Sequence, residues 1–433
     1  MRRLLFALVF GLVGGGLAVP TIAAPEVSQQ EVVRAWNDLA LTAVRVTRAS
    51  DADAARTYAI LNVAVYDAVN GIVSADGPRK RAHALVPGPG PRQGSPQAAA
   101  AAAAAAHGVM VGLDPDRSAS YDAQLAADLA RLRPGRPRDL GVSWGRQVAQ
   151  QALSSRANDG SRPVESQPAG FGPGVFRSEW SGVQYRNMRP FAVANPGVFV
   201  PGPPPALDSL DYAAAFAEVA LLGDAAVPAP DKLATFQFWT LPAGSVQPPG
   251  EWVKIALNVS GARRLSLEDA ARLMALVSMA LADTTIVTVR TKFQYRHWRP
   301  TTAIREADTD GNPLTAPNPT WTSRAGSVGS SPEYVSGHSS FSGAGAAALA
   351  GFFCADHIRF THTTDSAPGG EARTYPSFSA AAAEAGRSRV FGGQHFEFSN
   401  QTGLAIGRNV AEKVLATRLL YRTGPTHHGE CPL

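Results

Sequence analysis

The spacing of apolar residues along the chain is that of helices in most segments with a clear pattern. Ala55, Ala59, Ile60 and Val63 recur at three- and four-residue steps, which is the period of one helix face. Strand-like alternation is scarce, so the sequence predicts an all-α fold, a helical bundle with long loops. Helices are predicted over residues 31–46, 52–69, 98–106, 122–132, 141–156, 212–222, 339–350 and 403–420, with a further one after Ser266.

Local signals set several helix ends. Ser266 is a predicted N-cap, with Glu268 and Asp269 in the first turn, where the helix dipole favours acidic residues. Asn70-Gly71 is a predicted stop for the second helix. Residues 158–210 are rich in Pro, Gly and aromatic residues, which predicts ordered but irregular structure. We therefore expect one large domain, residues 25–433, in which this segment separates an N-terminal helical half (25–157) from a catalytic half (211–423).

The N-terminus has the layout of a secretory signal peptide. Arg2 and Arg3 precede an uncharged apolar stretch, residues 4–19, and small residues such as Ala23 and Ala24 follow. We expect residues 1–24 to be removed and the mature protein to be secreted or periplasmic. No later segment offers about 18 uninterrupted apolar residues, so no membrane association is expected after cleavage.

Composition narrows the possible partners. Of 433 residues, 45% are apolar and 17% are charged, which is typical of a globular protein, and the net charge is +5. No Lys/Arg-rich block with interleaved aromatic residues occurs, so we expect no nucleic-acid partner. The two cysteines, Cys354 and Cys431, could form a disulfide outside the cytoplasm or remain a buried and an exposed thiol. Two cysteines alone cannot make a structural zinc site.

A first cluster of candidate functional residues runs from Lys292 to Pro300. Lys292 and Arg299 are seven residues apart, close to two helical turns, so one helix would point both the same way. Pro300 would end or kink that helix. Two cations on one face suit an anion site, although a solvated basic face would look the same. His297 and Trp298, inside this motif, are candidates for lining the pocket.

A second cluster, Ser336-Gly337-His338, precedes a helix of small residues. A helix N-terminus offers free N–H groups and a positive dipole end, both of which favour an oxyanion. His338 would stand where it could exchange protons with a bound ligand. A serine N-cap followed by an ordinary surface histidine would explain these residues equally well.

A third cluster runs from Ser388 to His395. Arg389 and His395 are six residues apart, which on one regular helix would leave them on different faces. Gly392-Gly393 between them could break the helix and let both side chains turn toward one pocket. Arg389 would supply permanently charged, planar donors to oxyanion oxygens.

Taken in order, the three clusters resemble the signature shared by vanadium haloperoxidases and type 2 phosphatidic acid phosphatases. The whole chain is similar to the bacterial secreted haloperoxidase-like branch of that superfamily. The resemblance implies that His395 ligates vanadium in a haloperoxidase or attacks phosphorus in a phosphatase, and that His338 is the acid–base residue. It implies oxyanion binding by Lys292, Arg299, Ser336, Gly337 and Arg389.

The chain departs from the family pattern at two positions. Val335 stands before Ser336 where the family has Pro, and Ser399 stands where the family has an Asp that accepts a hydrogen bond from the imidazole. Such a neighbour of a metal-binding histidine is worth roughly tenfold to a hundredfold in affinity or activity. Ser399 lacks the charge of Asp, so we expect weaker catalysis, and Ser399→Asp should raise it.

The resemblance implies a secreted vanadate-dependent haloperoxidase that oxidises halide with hydrogen peroxide, with vanadate as its cofactor. Vanadate and phosphate are nearly isosteric, so an acid phosphatase that forms a phosphohistidine and needs no cofactor is the alternative. A non-catalytic oxyanion-binding protein is the second alternative, suggested by Ser399. The expected partners are small-molecule substrates, either hydrogen peroxide and halide or a phosphate ester. Pairing of subunits is common in the family, so a homodimer is possible.

Overall fold

The computed structural model describes residues 31–76, 82–86, 90–91 and 97–420. The predicted signal peptide lies outside this range, and so does Cys431 of the Cys354–Cys431 pair, so secretion and the disulfide stay predictions. The predicted all-α fold is confirmed, because thirteen α-helices account for most of the described residues. They are α1 Glu31–Thr47, α2 Asp51–Asp76, α3 Ala98–Leu113, α4 Ser118–Ala130, α5 Arg136–Arg156, α6 Leu210–Leu222, α7 Pro230–Phe238, α8 Gln247–Ala262, α9 Leu267–Tyr295, α10 Pro300–Arg305, α11 Gly337–Phe353, α12 Phe378–Phe391 and α13 Glu397–Thr417.

Strands are few and short in the described part of the chain. β1 (Ser166–Gln167) pairs antiparallel with β2 (Trp180–Ser181), and β3 (Phe360–His362) pairs antiparallel with β4 (Arg373–Tyr375). Residues 158–209 contain no α-helix, as predicted for the segment rich in Pro and Gly. This segment is nevertheless ordered by the strand pair and by short 3-10 helices at Val183–Asn187 and Pro196–Phe199.

Helix α9 is the centre of the core. Ser266 caps it as predicted, since the serine hydroxyl accepts a hydrogen bond from the Asp269 N–H at 3.1 Å. By length and composition α9 could cross a membrane, but its most apolar 18-residue window is entirely buried within the fold. Helices α2, α8, α11 and α13 pack around it. The burial identifies α9 as a core helix, and its last turn carries Lys292 to the candidate site.

Helix α2 continues past its predicted end. Asn70 and Gly71 are buried inside the helix, which extends to Asp76. A Cβ on Gly71 would lie 2.7 Å from the Trp144 ring of α5. The glycine therefore permits close helix packing here, and the prediction of a stop at Asn70-Gly71 was wrong.

Helices α11 and α13 make an equally close contact that positions the site. Gly403 and Gly407 on α13 face the backbone of α11, and a Cβ on Gly403 would lie 2.8 Å from the Ser336 carbonyl oxygen. Both glycines belong to the last helix predicted from the sequence, residues 403–420. Their contact brings the start of α11, with Ser336, beside the start of α13, which follows His395.

Candidate active site

The first cluster spans the break between two helices and is not built by one helix. Helix α9 ends at Tyr295 because Arg296 adopts a left-handed conformation with φ of 50°. Pro300 then starts α10, in the first helical position where its missing N–H costs nothing. The prediction that one helix carries both Lys292 and Arg299 was therefore wrong.

Lys292 and Arg299 nevertheless converge on the segment 331–333. Lys292 donates through Nζ to the Pro332 carbonyl, and Arg299 donates through Nε to the Ser331 carbonyl at 2.8 Å. Gly329, with φ of 95°, leaves room for the guanidinium, since a Cβ there would lie 2.8 Å from Arg299 Cζ. The backbone before Ser336 thus gathers the two cations that the sequence singled out.

The second cluster lies at the N-terminus of α11. The Ser336 hydroxyl accepts from the Ser339 N–H at 3.3 Å, which makes Ser336 the predicted N-cap. His338 Nε2 lies 3.1 Å from the Thr240 carbonyl oxygen. Because a carbonyl only accepts, Nε2 carries the proton and Nδ1 has a free lone pair. Burial, reinforced by Arg389, holds the pKa of His338 well below its usual value, so the imidazole is neutral at neutral pH.

The third cluster contains the helix break that the sequence predicted. Helix α12 ends at Phe391, directly after the turn that carries Arg389, and Gly393 follows with φ of 69°. A Cβ on Gly393 would lie 2.8 Å from the Gly223 carbonyl oxygen, so glycine is required both by conformation and by space. The break lets His395 return toward the pocket before α13 begins.

His395 is held in one tautomer. Its Nε2 lies 2.9 Å from Arg299 Nη1 and its Nδ1 lies 3.0 Å from Glu333 Oε1. A guanidinium only donates, so Nε2 accepts and Nδ1 donates its hydrogen to the carboxylate. Burial, followed by the charge of Arg299, holds the pKa of His395 well below its usual value. The result is a neutral imidazole whose Nε2 lone pair faces the cations.

Glu333 is the residue of the candidate site that sequence reasoning missed. Its carboxylate lies against His395 Nδ1, whereas the family that the sequence resembles has an Asp at position 399. Ser399 Oγ lies 3.5 Å from His395 Nδ1 and donates to the Glu333 carbonyl at 3.3 Å. Burial opposes its ionisation, but the imidazoles of His297 and His395 outweigh burial and hold the pKa of Glu333 below its usual range. The available signal was an acidic residue three positions before Ser336.

The site holds more buried cations than carboxylates. Lys292, Arg299 and Arg389 are each 5–6% exposed, and Glu333 is the buried carboxylate that lies among them. Burial lowers the pKa of Arg299 to about 10 and that of Arg389 to about 9, and it holds the pKa of Lys292 well below its usual value. Burying such an excess of charge is costly unless an anion binds there.

Arg389 shows the same need for an anion at the level of atoms. Its Nε is buried without a hydrogen-bond partner in the structure, and its Nη1 reaches only the Trp239 carbonyl at 3.5 Å. A second acidic residue, Asp51, borders the site, with Oδ2 3.7 Å from where a Cβ on Gly337 would lie. Within the described ranges no group of three His, Cys, Asp or Glu residues could hold a metal ion. The donors fit a multiply charged oxyanion.

Part of the chain matches a known protein family. Residues 272–423, which span all three clusters, match the family model described as the VCPO second helical-bundle domain. No curated protein matches the sequence.

Solved structures with similar folds are bacterial vanadium-dependent haloperoxidases. An iodoperoxidase aligns with a TM-score of 0.76 and 22% identity, covering 92% of this chain and 98% of its own. A holo-type chloroperoxidase aligns with a TM-score of 0.64 and 19% identity, covering 85% and 92%. The apo-type chloroperoxidase gives a TM-score of 0.62 and 17% identity, covering 83% and 92%. The likeness therefore extends over nearly the whole fold.

Proposed function

We propose that this chain is a vanadate-dependent haloperoxidase that oxidises halide with hydrogen peroxide, because residues 272–423 match the VCPO second helical-bundle domain and the fold is similar to that of bacterial vanadium-dependent haloperoxidases. The observation that carries the proposal is the unprotonated Nε2 of His395, which lies 2.9 Å from Arg299 Nη1 in a site with three buried cations, one of which, Arg389, has an unpartnered Nε. The N-terminal pattern supports a site of action outside the cytoplasm.

The residues of the site fit vanadate. Lys292, Arg299 and Arg389 would neutralise the negative charge of its oxygens, the Ser336 hydroxyl and the Gly337 N–H would donate further hydrogen bonds, and His395 Nε2 would be its protein ligand. Bound vanadate supplies the activation of hydrogen peroxide toward attack by a halide. Arg299 Nη1 donates to His395 Nε2 in this structure, so it gives up that hydrogen bond when Nε2 takes a ligand.

Two groups manage protons around the bound anion. His338 Nδ1, with a free lone pair, accepts a proton from hydrogen peroxide entering the site, while Nε2–H remains bonded to the Thr240 carbonyl. Glu333 keeps the hydrogen of His395 on Nδ1, so Nε2 stays available. Ser399 contributes no charge to this arrangement. We no longer expect weaker catalysis because of Ser399, since Glu333 supplies a carboxylate to His395.

The test is halogenation of a phenol dye by the purified protein with peroxide and bromide or iodide, with and without orthovanadate. We expect vanadate-dependent halogenation that disappears in His395→Ala and persists in His357→Ala, which removes an exposed histidine. A vanadate-free sample receives p-nitrophenyl phosphate in parallel. Phosphate release without halogenation would make the protein an acid phosphatase, and inactivity in both assays would leave an oxyanion-binding protein.

A further inference from the structure

His297 lies against the oxygen of Glu333 that His395 does not use. Its Nδ1 is 3.5 Å from Glu333 Oε2, and its carbonyl accepts the Glu333 N–H at 2.8 Å. The imidazole is 4% exposed and the carboxylate is completely buried. His297 therefore contacts Glu333 through both backbone and side chain.

The two oxygens of Glu333 differ in how well they are paired. Oε1 accepts from His395 Nδ1 and from the Phe396 N–H, both at 3.0 Å. Oε2 is buried and makes no hydrogen bond within the usual distance limit. A buried carboxylate oxygen left unpaired is costly, and the His297 imidazole is the donor placed to pair with it.

Aromatic rings enclose the His297 imidazole on the sides away from Glu333 Oε2. The rings of Tyr212, Phe396 and Phe398 meet it edge to face, with centroids 5.8–6.4 Å away. Neither ring nitrogen has another hydrogen-bond partner in the structure. Among the described residues, Glu333 Oε2 is the unpaired acceptor that lies 3.5 Å from Nδ1.

We propose that His297 is a positioning residue whose Nδ1–H holds Oε2 of Glu333, so that Oε1 stays on His395 Nδ1 and His395 keeps its Nε2 free. The glutamate side chain has one more rotatable bond than the aspartate of the family pattern. A second hydrogen-bond donor, His297, therefore restricts more rotational freedom in Glu333 than it would in an aspartate. The proposal rests on the proposed function for the role of Nε2, but the hydrogen-bond chain His297–Glu333–His395 belongs to the ligand-free protein.

The test uses histidine-selective ¹⁵N labelling of the ligand-free full chain. We expect two protected Nδ1 protons, one on His297 and one on His395, assigned by their loss in His297→Phe and His395→Ala. In His297→Phe the His395 Nδ1 proton should exchange at least about tenfold faster with water, and its tautomers should become mixed. Tungstate serves as an oxyanion probe of the proposed vanadate site. Its affinity for the protein, measured by calorimetry, should fall about tenfold in His297→Phe. His297→Gln, which can donate again, should restore both.

Tyr212→Phe is the matched control, because it keeps the aromatic wall and removes a buried hydroxyl that makes no hydrogen bond to Glu333. It should leave the His395 signals and the tungstate affinity unchanged. Wild-type signals in His297→Phe, or equal losses in His297→Phe and His297→Gln, would reduce His297 to a packing residue. If His297→Phe does not fold, absence of a protected His297 Nδ1 proton in the wild type would overturn the proposal by itself. If the His297 variants behave as expected but the wild-type protein does not halogenate, the proposed function is wrong and the positioning role of His297 stands.

Discussion

Helix α9 carries three buried charged residues, and the structure treats two of them, Asp283 and Lys292, in opposite ways. Asp283, in the middle of the helix, accepts three backbone N–H groups, from Phe191, Ala192 and Val193, at 2.7–2.8 Å. Lys292, nine positions later, donates only to backbone carbonyls and shares its surroundings with two buried arginines. The chain itself supplies the hydrogen-bond donors that stabilise the charge of Asp283. Lys292 instead lies in a cluster with an excess of positive charge.

This difference separates a structural group from a candidate binding site. The Asp283 carboxylate satisfies the backbone of the irregular segment that it holds against α9, and it needs no ligand. The cations around Lys292 gain a full set of partners only when an anion arrives, because removing charge from water is costly without one. Burial of charge alone would not have distinguished the two regions.

Removing the Asp283 carboxylate, which is hydrogen-bonded by the chain itself, should have the largest effect on stability. Asp283→Ala leaves three buried N–H groups without an acceptor and should lower the free energy of unfolding by about 3–5 kcal/mol. Urea denaturation measures this loss, and Asp308→Ala, at an exposed aspartate, should change it by less than about 0.5 kcal/mol. A loss below about 1 kcal/mol for Asp283→Ala would show that the segment 191–193 is held by other contacts.

Removing the charge of Lys292, which lies in a cluster with excess positive charge, should affect anion binding instead of folding. Lys292→Met should leave the free energy of unfolding of the ligand-free protein within about 1 kcal/mol of wild type. The substitution loses the hydrogen bonds of Lys292, but it also removes the cost of burying its charge, and the two effects offset each other. Tungstate affinity should fall about 10- to 100-fold, the range for a lost charge-assisted hydrogen bond. Calorimetry checks this, with the exposed Lys413→Met as control. Strong destabilisation with unchanged affinity would make Lys292 a structural residue.

Adding a charge to the site sharpens the comparison further. Ser399→Asp would place a second carboxylate beside Glu333, whose own carboxylate already holds His395. Like charges in a buried site repel, so we expect a loss of about 1–3 kcal/mol in unfolding free energy and no gain in halogenation rate. This reverses the expectation from sequence. A rate increase, with Ser399→Ala unchanged, would show that Glu333 does not fill the aspartate's role.

Helices could be predicted from sequence where one local signal decides. The capping of α9 by Ser266 and the break at Gly392-Gly393 were both predicted and found. The end of α2 was not, because Gly71 serves the packing of Trp144, which lies 73 positions away. A glycine that ends a helix and one that admits a neighbouring ring look the same in a single sequence.

The candidate site shows the same division. The residue types and order of the three clusters were enough to name Lys292, Arg389 and His395. The end of α9 at Arg296 could not be predicted, because a left-handed arginine has no sequence signal. Nor could the pairing of Glu333 with His395, which are 62 positions apart and meet only in the folded chain.

The smallest predicted effect concerns pH and tests whether His338 is neutral. Its folded pKa lies well below its ordinary value near 6.5, so below that pH the unfolded chain binds the proton more readily and stability is lost. Between about pH 7.5 and about pH 5.5 this histidine should account for a loss of about 1 kcal/mol in unfolding free energy. His338→Gln should lose that much less than wild type in urea denaturation, whereas His357→Gln, at an exposed site, should follow wild type. Identical pH dependence in all three proteins would mean that folded His338 protonates normally. Its Nδ1 would then carry a proton in mild acid and could not accept one from peroxide there.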